Sequence, residues 1–191
     1  MQFRRGMIAA FFVALACFSP TAQVQAGFHL WEINEVFTNP SGSVQFVELF
    51  DSFASENFIS SSFVTSNAKS FDIPSDLVGN TANKTFLLAT AGFGALPGGV
   101  TPDFVIPPNF FSLSGDTITF TGSGDTLTFT GAQLPKNGVL SLNANLSTGT
   151  NTPKNFAGQE GSVVVPEPST MVLVGLAGST LLMVYRARRR R

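Results

Sequence analysis

Apolar and polar positions alternate with a period of two in several short runs between Phe28 and Leu142, the spacing of half-buried strands, with turn residues recurring between them. The first predicted strand, Phe28–Phe37, carries Trp31, Ile33, Glu35 and Phe37 on one face. Asn39-Pro40-Ser41-Gly42 follows as a turn, because proline presets φ and glycine accepts the strained end. A second strand, Val44–Asp51, sends Val47 and Leu49 one way and Phe46, Glu48 and Phe50 the other. Further strands are predicted around 57–65, 84–90, 104–106 and 138–142, with a short helical turn and loop over 91–99. Gly115-Asp116-Thr117-Ile118-Thr119-Phe120-Thr121-Gly122 recurs nine residues later as Gly124-Asp125-Thr126-Leu127-Thr128-Phe129-Thr130-Gly131. Ile118, Phe120, Leu127 and Phe129 then share one face and the threonines the other, which predicts a β-hairpin lying on a second sheet. No long stretch of helical period appears in this region, so the expected class is all-β.

The two ends follow different rules. Arg4 and Arg5 precede a twelve-residue apolar run, Met7–Phe18, and Val24-Gln25-Ala26 supplies small residues before a cut. That is the layout of a secretory signal peptide over residues 1–26, with cleavage after Ala26. As a helix the run covers about 18 Å, short of a hydrocarbon core roughly 30 Å thick. Cys17, at the end of the run, also admits a lipoprotein reading, although alanine stands where leucine is usual three residues earlier. At the other end Val165, Pro166, Glu167, Pro168 and Ser169 precede the uncharged stretch 171–185. Arg186, Arg188, Arg189, Arg190 and Arg191 close the chain. The prolines hold the approach extended, Ser169 or Thr170 can cap the following helix, and the arginines keep that end cytoplasmic. A single transmembrane helix over 171–185 is the expectation. The stretch 148–164 is small, polar and without period, and reads as a flexible linker.

Charge narrows the choice of function. Only 12% of residues are charged, and all seven arginines lie at the ends. Between Gly27 and Val165, eleven carboxylates face four lysines, a net of −7, so a nucleic-acid surface is not expected. Sixteen phenylalanines in the same stretch supply a core. The body has no cysteine, and His29 is the chain's single histidine, which argues against a zinc site and a serine-histidine triad. No catalytic or cofactor-binding residue is assigned. Carboxylates keep two alternatives open. Glu35 and Glu48 fall on adjacent predicted strands, where they could serve a carbohydrate-active enzyme or a calcium-stabilised module, or bond backbone as structural groups.

The order Val165-Pro166-Glu167-Pro168-Ser169, apolar stretch, terminal arginines resembles the PEP-CTERM sorting signal. That resemblance implies an exosortase partner, a precursor tethered in the inner membrane of a Gram-negative bacterium, and delivery to the surface or an exopolysaccharide matrix. The strands Trp31–Val36 and Gln45–Phe50, with Phe71–Pro74 and Thr85–Ala89, resemble lamin-tail-like domains. They imply an immunoglobulin-like β-sandwich over 27–147 that binds or scaffolds. Together these give a non-enzymatic structural or adhesive protein with a sorting tail over 165–191.

Overall fold

A computed structural model of the protein describes residues 29–165. The expected signal peptide with its Ala26 cut, the membrane helix over 171–185, Pro166 to Ser169 and the terminal arginines lie outside the described residues.

Among the described residues ten strands form two sheets: β1 Glu32–Thr38, β2 Gln45–Asp51, β3 Phe63–Thr65, β4 Ser70–Asp72, β5 Lys84–Thr90, β6 Phe104–Ile106, β7 Gly115–Phe120, β8 Asp125–Thr130, β9 Leu140–Asn143 and β10 Thr148–Thr150. The larger sheet runs β10-β9-β1-β2-β5-β6 and the smaller β4-β3-β7-β8. Every pairing is antiparallel except β5 with β6. The all-β expectation therefore holds at the level of two sheets with a shared core. Trp31, Val47, Leu49, Phe86 and Leu88 meet Val64, Ile118, Phe120, Leu127 and Phe129 across the interior. Edge-on aromatic contacts knit that layer: Trp31 with Phe86 at 4.7 Å and Phe86 with Phe120 at 6.1 Å between ring centroids.

Two predicted strands, 84–90 and 104–106, appear with the expected bounds, and the turn over 91–99 contains a 3₁₀ turn at Phe93–Ala95. The strand expected over 57–65 contracts to β3, because Ile59 and Ser62 enter local turns: the Ile59 N–H donates to Asn57 O and the Ser62 N–H to Ile59 O. The face expected for the first strand is only half right. Its register slips between Ile33 and Glu35, leaving Asn34 as an extra residue opposite β2. Trp31 and Ile33 point into the shared core, but beyond the bulge the phase inverts. Val36 takes the inner face, and Glu35 and Phe37 face outward.

The repeat folds as the β7–β8 hairpin, with the four apolar residues buried. Its threonines pair outside, Thr117 with Thr128 at 3.1 Å and Thr119 with Thr126 at 3.2 Å. The hairpin tip also reaches the other sheet. Ser123 Oγ donates to Trp31 O at 2.7 Å, and Asp125 Oδ2 accepts the Ile33 N–H at 2.7 Å. Asp125→Ala strands that amide and is expected to cost about 1–3 kcal/mol, read as a lowered urea midpoint at unchanged slope.

One expectation is overturned. The stretch 148–164 is not a loose linker: it begins as β10 on the edge of the larger sheet and continues as a strap across that sheet's outer face. Asn151 is fully buried, as is Val163, which packs with Phe37, Phe46, Leu87 and Phe93 in a second apolar cluster. Small polar composition suggested slack. Backbone and carboxamide hydrogen bonds supply the order that period could not reveal.

Candidate functional site

The strap rests on a row of acids that spans four chain segments. Glu35 on β1 pairs with Glu48 on β2, Glu48 pairs with Leu87 on β5, and Leu88 pairs with Phe104, which sets Asp103 beside Leu87. Without the bulge at Asn34, Glu35 would point into the phenylalanine core. In an extended chain successive N–H groups point to opposite sides, so every second one can face the same surface. The strap uses that alternation. Glu35 Oε1 accepts the Thr152 N–H at 2.9 Å, Glu48 Oε2 the Lys154 N–H at 2.6 Å, and Asp103 Oδ2 the Phe156 N–H at 2.9 Å. The remaining glutamate oxygens are also engaged. Thr152 Oγ1 donates to Glu35 Oε2 at 2.9 Å, and Asn34 Nδ2 donates to Glu48 Oε1 at 2.7 Å. Asp103 Oδ2 additionally takes the Leu87 N–H at 2.8 Å.

Beyond this row the chain turns back. The Asn155 side chain holds the turn through Thr101 O and the Gln159 backbone, and Lys154 forms an ion pair with Glu160. Asn151 Nδ2 donates to Val139 O at 2.6 Å and Val163 O at 2.7 Å, while its Oδ1 accepts the Val163 N–H at 2.8 Å. The Val165 N–H then bonds Gly138 O at 2.8 Å. Gly138 has φ +70°, and a Cβ there would lie 2.3 Å from Val165 O, so this closure requires glycine.

Electrostatics match the burial. Glu48 is raised from 4.5 to about 7, chiefly by loss of water, with the neighbouring Glu35 charge adding and the Asn34 and Lys154 donors opposing. Asp103 is also raised, first by burial, against the pull of the backbone N–H groups of Leu87, Phe156 and Asp103 itself. All four glutamate oxygens have donors inside the protein, and the strap covers them. That directs both glutamates to the strap instead of to an open cleft such as a glycosidase pair needs. Among the described residues no three His, Cys, Asp or Glu side chains are grouped to hold a metal. The two glutamates act on the chain itself.

The strap ends where the sorting signal begins. Residues 164–191 match the family described as PEP-CTERM protein-sorting motif. The tail carries a PEP-CTERM sorting motif. Of it, Val164 and Val165 are described, and Val165 is bonded to the body. No curated protein and no solved structure matches the chain. Among the described residues no helix is long and apolar enough to cross a membrane. The acid row was half visible in the sequence as Glu35 and Glu48. Asn34, Asp103 and Asn151 were missed. An aspartate just before the apolar triplet Phe104–Ile106 was the available sign for one of them.

Proposed function

We propose that this protein is an exosortase substrate that becomes a non-catalytic structural or adhesive component of a Gram-negative cell surface or exopolysaccharide matrix. The observation that carries the reading is the PEP-CTERM match over 164–191, directly continuous with a folded acidic body. In this reading residues 1–26 direct export and are cut after Ala26. The 171–185 helix tethers the precursor in the inner membrane. Arg186, Arg188, Arg189, Arg190 and Arg191 remain cytoplasmic, and exosortase acts at Val165, Pro166, Glu167, Pro168 and Ser169. The body is an immunoglobulin-like, lamin-tail-like module, a reading supported by the β1–β2 pairing that sets Ile33 opposite Leu49 between two sheets. Glu35 and Glu48 are occupied in holding the strap, which supports a scaffold over an enzyme that would use them.

Mass spectrometry of the exported product tests this. A chain starting at Gly27 and ending near Val165, recovered from the surface or matrix fraction of cells that contain exosortase, is the expected result. Recovery of the Arg191-containing peptide from washed membranes as the only form would overturn it.

A further inference from the structure

Beside the acid row the strap builds one wall of an open groove of about 640 Å³. That volume lies within the range of small-ligand sites, roughly 300–1,000 Å³. Phe156 of the strap faces the loop 75–80, with Lys84 at the start of β5 and Asp103 just before β6 completing the lining. The chemistry is mixed in a particular way. Phe156 is half-buried against the core, and the Lys84 ammonium lies 6.0 Å from its ring centroid. Lys84 forms no ion pair among the described residues. The Leu87 and Phe156 N–H groups both fall on Asp103 Oδ2, and among the described residues Oδ1 accepts from no other residue's backbone, which leaves it for a ligand. Asn80 adds a carboxamide, and Val78 stands 92% exposed at the rim. The loop comes close to the ring at Gly79, whose φ of +127° few other residues adopt.

We propose that this groove binds a segment of neutral polysaccharide. A sugar ring presents a C–H face suited to Phe156 and Val78, and a rim of hydroxyls that both donate and accept. Lys84 supplies donors, Asp103 an acceptor and Asn80 both. One ammonium beside carboxylates gives no charge preference for a polyanion, and the body's net −7 opposes one. The site exists only while the strap is docked, because the same carboxylate that faces the groove also fixes the Phe156 amide. The proposal rests on the matrix reading for its choice of polymer.

Affinity electrophoresis of the full-length chain in a polyoxyethylene detergent, through gels carrying dextran, galactomannan or mixed-linkage β-glucan, tests it, with alginate as the anionic polymer. Retardation by at least one neutral polymer and none by alginate is expected. Phe156→Ala should weaken that retardation about tenfold and Thr128→Ala, on the other sheet, should leave it unchanged. Lys84→Met keeps the packing stem on the ring and should weaken it several-fold, which preserves the test should Phe156→Ala unfold the strap. No retardation by any neutral polymer, retardation by alginate alone, or full retardation of Lys84→Met overturns the proposal. Neutral-polymer binding by a chain that is never processed would overturn the sorting reading and leave the groove standing. Normal processing without binding does the reverse.

Discussion

Asn151→Ala is expected to cost about 3 kcal/mol and to free the strap from the larger sheet. Three hydrogen bonds of this side chain disappear: two donated to the Val139 and Val163 carbonyls and one accepted from the Val163 N–H. The Val139 carbonyl keeps a bond from the Asn151 amide, so its loss is cushioned. Val163 has no such reserve, and both of its backbone groups are left unpaired beside a fully buried side chain. At about 1–3 kcal/mol for each stranded buried group, the two losses reach that figure. Hydrogen exchange gives the decisive readout. The amides of Thr152, Lys154, Phe156, Val163 and Val165 should lose protection together, while those of Leu87 and Leu88 keep most of theirs. Uniform loss across β5 and the strap would mean that the strap is not a separable unit. An unchanged urea midpoint would mean that the side chain does not clasp it at all.

Stability should fall as pH rises from about 4.5 to about 7, the reverse of the usual trend for carboxylates. Glu48 has its folded-state pKa near 7 against an ordinary value of 4.5. Between those values the folded chain holds a proton that the unfolded chain has released, and unfolding becomes easier as pH climbs. The contribution is fully present below pH 4.5 and gone above pH 7. Its size is on the order of 3 kcal/mol. Asp103 and Asp51 are also raised by burial and act in the same direction. Asp76, lowered by donors from Ser60, acts oppositely at the acid end, where its stabilisation is lost as pH falls. Glu48→Gln removes the titrating group but keeps an acceptor for the Lys154 N–H, and a reorientation of Asn34 satisfies the new amide. Urea midpoints should therefore place Glu48→Gln above the unmodified protein at pH 8, with the gap closing by pH 5. A constant gap at both values would mean that Glu48 does not carry the proton.

The elements most legible in the sequence were those in which a single local rule decides the outcome. The β7–β8 hairpin announced itself through a repeat whose apolar residues share one face and whose glycines bracket the turn. β5 and β6 were bounded by runs of apolar residues. The turn before β2 was equally plain. Gly42 has φ +72°, and a Cβ there would fall 2.2 Å from Asn109 Oδ1, so glycine is required for a contact that sequence order does not show. Phase was harder. The alternation through Ile33 and Glu35 predicts a common face, and nothing in the letters marks Asn34 as the residue that slips. Hardest was the strap. Residues 148–164 carry few apolar side chains, and their order comes from N–H groups meeting acids about 50 to 117 positions away, a relation with no periodic signature. Glu35 and Glu48 were correctly seen as neighbours, but what covers them was invisible until the fold brought Thr152 and Lys154 across.

The closure of Val165 on Gly138 sets a geometric limit on whatever acts next along the chain. Pro166 begins one peptide bond past a residue that is already hydrogen-bonded to the body. On the proposed reading, an enzyme that engages the prolines meets a chain whose preceding residue is already tied to the body. A scission just past Val165 would leave a blunt stub with its last amide already tied down, and little for an exopeptidase to fray.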